Sequence, residues 1–321
     1  MNNPGKARQE VGRRVGRAMA RAVMSMWAMS LWLHAAAASF SAPSALAFSS
    51  SGDLWVGNYT ASTLMKFSSA QLQKGGTLEP LVTLDASGVL RGPQGMFFDP
   101  KGNLWVSSNE SNFIAQFSAA QTVQGGKATP VLRLEDPSLL NPAELTWDAQ
   151  GSLWVSSFAT NQVVRFDASQ LAKGGAVPPS RMLGTSDGSL RQAGGLTFDG
   201  QGRLWVVSFG RGALLRFSAA QVKAGGKVVP EAVIELPKPT SIAFAPNGDL
   251  YVSSYELGLL YRLTPSQLEK SGAVVPSIQY KGLNLPATLA IRDKTVWVAV
   301  SGDNTVKGFA LETLELRSTL R

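Results

Sequence analysis

The hydrophobic residues of the chain follow a five-residue pattern, Gly-x-Leu-Trp-Val, that returns at nearly regular intervals. Copies begin at Gly52, Gly102, Gly151 and Gly202, a copy with Tyr in place of Trp begins at Gly248, and a shortened copy covers 296–298. The aromatic residues at their centres, at positions 55, 105, 154, 205, 251 and 297, lie 46 to 51 residues apart. Repeats of this length that contain strand-forming residues are typical of β-propellers and β-solenoids.

Three further apolar segments accompany each copy and predict a four-stranded unit. The first precedes the copy and is joined to it by a four-residue turn such as 99–102, where Asp at the start and Gly at the end favour a type I turn and hence a β-hairpin. The other two follow the copy, for example at 114–117 and 131–134. Leu and Trp of the pattern point to opposite faces of their strand, so both faces of the sheet are apolar. Blades stacked around an axis cover both faces.

From residue 43 to residue 320 the sequence therefore predicts an all-β fold, a six-bladed β-propeller of four-stranded antiparallel blades. The predicted blades cover residues 43–90, 91–139, 140–190, 191–237, 238–284 and 285–321. Because the chain starts and ends at blade boundaries, no strand is expected to be exchanged between the termini. Closure of the ring is expected to rest on packing of the first blade against the last. The Trp residues of the pattern are expected to form the core between blades.

A polar motif between the third and fourth segments predicts a short helical turn in five of the six units. It has Ser, Thr or Asp followed three residues later by Gln, as in Ser68 and Gln71, and glycine follows it, as at Gly75. This spacing is a capping box, in which both side chains bond to exposed backbone N–H groups at the helix start. Glycine at the end is typical of a left-handed C-terminal cap.

The first 38 residues have the composition of a secretory signal peptide. Residues 1–21 are polar and basic, and residues 22–38 are apolar and end in alanines. We predict cleavage near residue 38, a mature chain of residues 39–321, and a secreted or periplasmic location without stable membrane insertion. An uncleaved membrane anchor is the alternative, although an apolar run of about 17 residues is marginal for a membrane span. The export route, general or twin-arginine, stays open.

The net charge of +8 is concentrated in the predicted leader. Six basic residues and one acidic residue precede position 39, which leaves 24 basic and 21 acidic residues, a net charge of +3, in the rest of the chain. That charge gives no reason to expect a nucleic acid partner. The chain has no cysteine, and its single histidine is His34. The predicted mature chain therefore lacks disulfides, Cys nucleophiles, imidazole bases and His metal ligands.

The Gly-x-Leu-Trp-Val repeat, with its preceding apolar strand, resembles the six-bladed group that contains NHL-repeat proteins, gluconolactonase- and regucalcin-like lactonases and streptogramin lyases. The resemblance covers residues 43–320, nearly the whole predicted mature chain. It implies a propeller scaffold, whereas the activities of proteins that share such a scaffold are unrelated.

The resemblance also implies positions for the functional residues of the enzymes. Gluconolactonase-like enzymes bind a divalent cation through Glu, Asn and Asp at the start of their innermost strands. The matching positions here are Ser44, Gln94, Ala143, Gly194, Thr240 and Ala287, and none is a carboxylate. Glu144 is one residue further along, where the alternation of a strand is expected to turn it to the other face. Streptogramin lyases depend on histidine, so the resemblance implies the scaffold without the catalytic residues of either enzyme.

Loops after the second strands and before the first strands of a propeller share one rim around the central channel. The candidate ligand-binding residues at this rim are Asn58, Tyr59, Gln94, Asn109, Glu110, Glu144, Phe158, Phe209, Arg211, Tyr255 and Asp303. Amides and aromatic rings suit a small polar ligand, held by hydrogen bonds and stacking. The sequence therefore predicts a non-catalytic binding or scaffold protein, with a small polar ligand or a protein partner at the rim and with no catalytic residues and no cofactor.

Three alternatives stay open. In the first, the Asn residues cap turns and the aromatic residues pack between blades. In the second, Glu110, Glu144 and Asp303 hold a divalent cation such as Ca²⁺, and the chain is a metal-dependent lactonase, hydrolase or lyase with relocated ligands. In the third, lysines on the predicted helices form a basic ring for an acidic partner, although Lys near a helix C-terminus also stabilises the helix itself.

Overall fold

The strand and turn signals of the repeat correspond to six β-sheets within residues 39–321, the part of the chain that the computed structural model describes. The sheets form the predicted all-β, six-bladed propeller, with blades of four to five mainly antiparallel strands. Blades are numbered 1 to 6 in chain order. The predicted signal peptide, residues 1–38, lies outside the described residues.

Each blade contains four consecutive strands that pair antiparallel in chain order. The first strands are Pro43–Phe48, Pro93–Phe98, Pro142–Trp147, Ala193–Phe198, Ile242–Phe244 and Pro286–Arg292. The second strands are Leu54–Asn58, Leu104–Ser108, Leu153–Ser157, Leu204–Ser208, Leu250–Ser254 and Thr295–Val300. The third strands are Thr63–Phe67, Phe113–Phe117, Gln162–Phe166, Ala213–Phe217, Leu259–Leu263 and Thr305–Ala310. The fourth strands are Val82–Asp85, Leu132–Glu135, Arg181–Thr185, Ala232–Glu235, Ile278–Lys281 and Leu316–Leu320.

Blades 1 to 4 have a fifth, parallel strand that the sequence did not predict. These short strands are Gly126–Lys127, Gly175–Ala176, Gly226–Val228 and Gly272–Ala273. Each belongs to one repeat but pairs with the fourth strand of the preceding blade, as where Gly126 lies opposite Leu84. They are too short and too rich in glycine to show a strand pattern, so they were missed. Neighbouring blades are therefore joined by backbone hydrogen bonds as well as by side-chain packing.

The same parallel contact closes the ring. Gly76, which follows the helix of blade 1, forms a parallel bridge with Leu320 in the last strand of blade 6. The Gly76 N–H donates to the Thr319 carbonyl at 2.8 Å, and the Arg321 N–H donates to the Gly76 carbonyl at 3.0 Å. The expectation that packing alone closes the ring was wrong, because the first repeat extends the sheet of the sixth blade.

Short helices lie between the third and fourth strands of blades 1 to 5, as predicted. Four are α-helices, at Ser69–Lys74, Ala119–Gln124, Ala168–Lys173 and Ala219–Ala224, and the fifth is a 3₁₀ helix at Pro265–Leu268. The capping boxes are present in all five. The prediction of a left-handed cap was wrong. Gly75 has φ 63° and ψ −171°, which lies outside the left-handed helical region and is a conformation available to glycine alone. This geometry turns the chain directly into the parallel segment.

The aromatic residues of the repeat form the core between blades, as predicted. Trp154 of blade 3 is 1% exposed and packs in one cluster with Leu196 and Val206 of blade 4. Its ring meets Phe198 of blade 4 edge to face, with the centroids 5.9 Å apart. The indole Nε1 donates to the turn residue Asp148 at 2.9 Å. Asp at the turn therefore shapes the hairpin and also fixes the orientation of the core tryptophan.

Trp147 lacks such a bond and therefore allows a matched test of the hydrogen bond between Trp154 and Asp148. Its Nε1 is buried and has no hydrogen-bond partner among the described residues. Trp147→Phe and Trp154→Phe remove the same volume, but only the second breaks a hydrogen bond. We expect Trp154→Phe to lower the free energy of unfolding by about 1–2 kcal/mol more than Trp147→Phe, because it leaves the Asp148 carboxylate short of a donor. Urea denaturation of both variants measures the difference, and equal losses would contradict it.

Candidate ligand-binding site

The first strands surround a cavity at the propeller axis. One cavity of about 500 Å³ is lined by the equivalent residue of each blade, which is the second residue of the first strand in five blades and precedes that strand in blade 5: Ser44, Gln94, Ala143, Gly194, Thr240 and Ala287. The other lining residues are Ala42, Tyr59, Asn109, Asn141, Glu144, Phe158, Gly195, Phe209, Tyr255, Thr288 and Ser301. Every blade contributes to the wall, so the cavity is a product of ring closure rather than of any single blade.

Glu144 faces this cavity, which corrects the expectation that it points to the other face of its strand. The register of the hairpin shifts between Pro142 and Leu145, so Ala143 and Glu144 together lie opposite Ser156. The Glu144 N–H donates to Ser156 Oγ at 3.1 Å, and that hydroxyl donates to the Glu144 carbonyl at 3.2 Å. This is a β-bulge, which breaks the alternation of side chains and lets two successive residues face the axis.

The carboxyl group of Glu144 lies deep in the ring. It is close to the hydroxyl of Ser241 in blade 5, and the blade between them, blade 4, has only Gly194 and Gly195 at these positions. No Lys or Arg nitrogen of residues 39–321 lies within ion-pair distance of the carboxyl group. Burial raises the pKa of Glu144 to about 8, and the Ser241 hydroxyl offsets only part of this effect.

Glu144 and Thr288 also border a second, smaller cavity further along the axis. This lower cavity has a volume of about 240 Å³. Its wall is mainly apolar and includes Met96, Phe97 and Leu289. Glu144 is the only Asp, Glu, Lys or Arg among the described residues that line either cavity. The carboxyl group thus lies at the boundary between the first cavity of about 500 Å³, the upper cavity, and this lower cavity.

Four aromatic residues form the upper wall: Tyr59, Phe158, Phe209 and Tyr255. Phe158 and Phe209 of adjacent blades have centroids 5.9 Å apart and planes tilted by 47°. Tyr59 Oη donates to Asn109 Oδ1 at 3.4 Å. Burial, followed by the neighbouring Glu110, raises the pKa of Tyr59 to about 12, so this phenol remains a hydrogen-bond donor at neutral pH. Rings and amides therefore meet above Glu144.

The structure brings together seven of the eleven candidate residues and separates four from them. Tyr59, Gln94, Asn109, Glu144, Phe158, Phe209 and Tyr255 line the upper cavity. Asn58 is fully buried, where its Oδ1 accepts from the Ser41 N–H and its Nδ2 donates to Thr63 Oγ1, so it has the turn-capping role. The remaining three, Glu110, Arg211 and Asp303, are exposed and outside the cavity.

The proposed acidic cluster does not assemble. Asp303 pairs with Lys307 at 2.9 Å, and Arg211 approaches Glu235 at 3.9 Å. Residues 39–321 contain no group of three acidic or histidine side chains close enough to hold a metal ion. Glu110, Glu144 and Asp303 therefore do not form a common binding site in this conformation.

Four lining residues were missed from the sequence: Ala42, Gly195, Thr288 and Ser301. Thr288 Oγ1 donates to the Ser44 carbonyl at 2.7 Å and joins blade 6 to blade 1 at the axis. Gly195 and Thr288 occupy the repeat position of Glu144, the second residue of the bulge. Register shifts of the same kind occur in five of the six first strands, so an alignment of the repeats with two axis-facing positions per blade would have found them.

No helix of the described residues is long and apolar enough to cross a membrane. No family model matches the chain, and no curated protein is significantly similar to it.

Solved structures share the fold. Virginiamycin B lyase from Staphylococcus aureus has a TM-score of 0.55 and 17% identity over 80% of this chain and 77% of its own. A streptogramin B lyase has a TM-score of 0.58 and 14% identity over 86% of this chain and 82% of its own. The extracellular domain of a one-component system from B. thetaiotaomicron has a TM-score of 0.54 and 16% identity over 85% of this chain and 35% of that chain. Identities this low establish a common propeller fold alone.

Proposed function

We propose that the chain is a non-catalytic binding protein that holds a small ligand in the upper axial cavity. The observation that carries the proposal is the composition of that cavity, in which four aromatic rings and three amides surround about 500 Å³ above one partly exposed carboxyl group. Concave sites with an apolar wall and a few convergent polar groups are typical of small-molecule binding. The ligand class that fits has a ring or other apolar body and at least one polar group.

The proposed location is outside the cytoplasm, secreted or periplasmic. The basic and apolar segments of residues 1–38 support an export signal. One structural neighbour is described as an extracellular domain. The proposal includes kinship with NHL-repeat and gluconolactonase-like propellers, which rests on the Gly-x-Leu-Trp-Val repeat. Docking of a protein partner on the loops around the cavity is compatible with it.

A second candidate is an enzyme of the lyase or lactonase type. The raised pKa of Glu144, about 8, favours it, because a carboxyl group that titrates near neutral pH is suited to general acid–base catalysis. Two observations weigh against it. A neighbour is the catalytically inactive histidine-to-alanine variant of virginiamycin B lyase with quinupristin, and residues 39–321 contain no histidine. The acidic residues proposed as relocated metal ligands also lie apart.

A soaking experiment with a fragment library tests the binding proposal. The library contains aromatic and cyclic fragments in positive, neutral and negative forms, so that charge and ring are varied separately. Fragments are expected to occupy the upper cavity in contact with Phe158 or Phe209, where the ring centroids are 5.9 Å apart. A library in which no fragment of any charge enters the cavity would overturn the proposal.

Substitutions of the aromatic wall are expected to weaken binding of such a fragment. Phe158→Ala or Phe209→Ala removes a stacking face and should raise the Kd about tenfold. Phe97→Ala is the matched control, because Phe97 is 40% exposed and lines the lower cavity only. Calorimetric titration compares the three variants, and an equal loss in the control would show that the upper wall is not the contact.

A further inference from the structure

The charges around the upper cavity favour a positively charged ligand. Its lining residues within 39–321 include a single ionisable acid, Glu144, two tyrosines and no Lys or Arg. Two basic side chains of the neighbouring loops have partners other than Glu144. Lys238 Nζ lies 2.9 Å from Glu256 and 5.6 Å from the centroid of the Phe209 ring, and Arg191 Nε donates to the Gly188 carbonyl at 3.2 Å. No positive group of the described residues therefore neutralises the carboxylate at the base of the cavity.

A carboxylate in this position is costly for the empty protein. Removing an ionised carboxyl group from water is compensated only by a paired charge or by several hydrogen bonds. Here the Ser241 hydroxyl is the one side-chain hydrogen bond that affects the ionisation of Glu144. A ligand that brings a positive charge would supply the missing partner, and the opening of the cavity toward the rim gives it access.

We propose that the ligand carries a protonated amine that pairs with the carboxylate of Glu144 at the base of the upper cavity, while its apolar body lies against the aromatic wall. This inference rests on the proposed binding function and specifies the chemical class of the ligand. Aromatic side chains contribute to the same preference, because a cation near the face of a ring is attracted by its quadrupole. Tyr59, Phe158, Phe209 and Tyr255 line the cavity, and the Phe209 ring already has the Lys238 ammonium 5.6 Å from its centroid.

Binding of an amine is coupled to loss of a proton from Glu144. With a pKa of about 8, the carboxyl group is mostly protonated in the free protein at pH 7. A positive ligand favours the ionised form, so binding at pH 7 releases about 0.9 proton. Because the bound amine lowers the pKa of Glu144, the affinity for the amine rises with pH through 8, as long as the amine itself stays protonated.

The groups that face Glu144 do not titrate in this range. The neighbouring first strands present Ser44 in blade 1, Gly95 in blade 2, Gly195 in blade 4, Ser241 in blade 5 and Thr288 in blade 6. Its own second strand presents Ser156. The tyrosine of the wall that lies nearest an acid, Tyr59, has a pKa raised to about 12. The pH dependence therefore reports on Glu144.

Three probes that share one ring test the inference: 2-phenylethylamine, 2-phenylethanol and phenylacetate. At pH 8.5 we expect the amine to bind at least tenfold more tightly than the alcohol and phenylacetate to bind most weakly. Between pH 6.5 and 8.5 the affinity for the amine should rise about 25-fold, in proportion to the ionised fraction of a carboxyl group with a pKa of about 8. Calorimetry in buffers of different ionisation enthalpy should detect the released proton for the amine and none for the alcohol.

Glu144→Gln separates the charge from the shape of the cavity. In this variant the preference for the amine and the proton release should disappear, while binding of 2-phenylethanol remains and shows that the cavity is intact. If the alcohol binds as tightly as the amine in the wild type, the amine inference is overturned but the binding proposal stands. If Ca²⁺ saturates a site and displaces the amine, the carboxylate belongs to a metal and the inference is also overturned. If no probe and no fragment of the library binds, the binding proposal itself has failed.

Discussion

Replacement of Glu144 by glutamine is expected to raise the free energy of unfolding at pH 9 by up to about 5 kcal/mol. The reason is the displacement of the pKa of Glu144 from an ordinary 4.5 to about 8 by burial. Each step of one in pKa corresponds to about 1.4 kcal/mol between the protonated and ionised forms. The folded protein must hold the ionised carboxylate above pH 8, whereas the unfolded chain holds it in water at no such cost. Glutamine keeps the size and hydrogen-bonding capacity of the protonated acid and removes the charge.

The pH window of this effect follows from the same values. Well below pH 4.5 the carboxyl group is protonated in both states, so wild type and variant should have equal stability there. As pH rises from 4.5 to 8, the unfolded chain loses the proton and the folded protein retains it, and the wild type loses stability relative to the variant. Above pH 8 the difference is constant.

Urea denaturation at pH 4.5, 7 and 9 measures the difference between the two proteins. Glu79→Gln is the control, because Glu79 is exposed and its replacement should leave the pH profile of stability unchanged. Parallel profiles for wild type and Glu144→Gln would show that the carboxyl group is solvated or paired in solution. A tight-binding amine should reduce the difference in stability between wild type and Glu144→Gln at pH 9, since the ligand supplies the positive charge that the folded protein lacks.

The fold was predictable because its signal is repeated. Apolar segments, turns with Asp and Gly, and capping boxes such as Ser68–Gln71 each depend on local spacing, and six copies of the same spacing reinforce one another. The parallel segment at Gly76 was not predictable in the same way. A one- or two-residue pairing across a blade boundary has no periodicity, and the residues that form it were assigned only as the end of a helix.

The candidate site was predictable in part, for a different reason. Rim residues such as Tyr59, Phe158 and Tyr255 lie in loops whose position follows from propeller topology, and they do line the cavity. The orientation of Glu144 depends on a bulge, and strict alternation gave the wrong face. Asn58 resembled a ligand-binding amide, but the Ser41 N–H and the Thr63 hydroxyl satisfy its side chain. Distinguishing a capping amide from a free one requires the positions of these partners.

The innermost strands also depend on glycine, and substitution there is expected to cause the second-largest effect. Gly195 lies so close to blade 5 that an added Cβ would be 2.7 Å from Ser241 Cα and 2.9 Å from Ile242 N. At Gly95 it would be 2.5 Å from the Ala143 carbonyl oxygen and 2.8 Å from Glu144 Cα. These contacts are with backbone atoms, which cannot move without separating the first strands of adjacent blades. Gly195→Ala and Gly95→Ala should therefore each lower the free energy of unfolding by about 3 kcal/mol, the upper part of the range for overpacking.

Gly88→Ala and Gly200→Ala are the matched controls, since an added Cβ at either position meets no atom within 4 Å and neither residue has a left-handed backbone. Both should have stability close to that of the wild type in urea denaturation. The glycine variants at the axis should also bind the amine probe more weakly at temperatures where they remain folded, because Gly95 contacts the backbone of Glu144 and Gly195 adjoins Ser241. A stable Gly195→Ala variant with unchanged binding would contradict the close approach of blades 4 and 5. Since Gly95 and Gly195 bring first strands of adjacent blades together and lie beside the Glu144 backbone and Ser241, closure of the ring and the electrostatics of its cavity depend on the same two glycines.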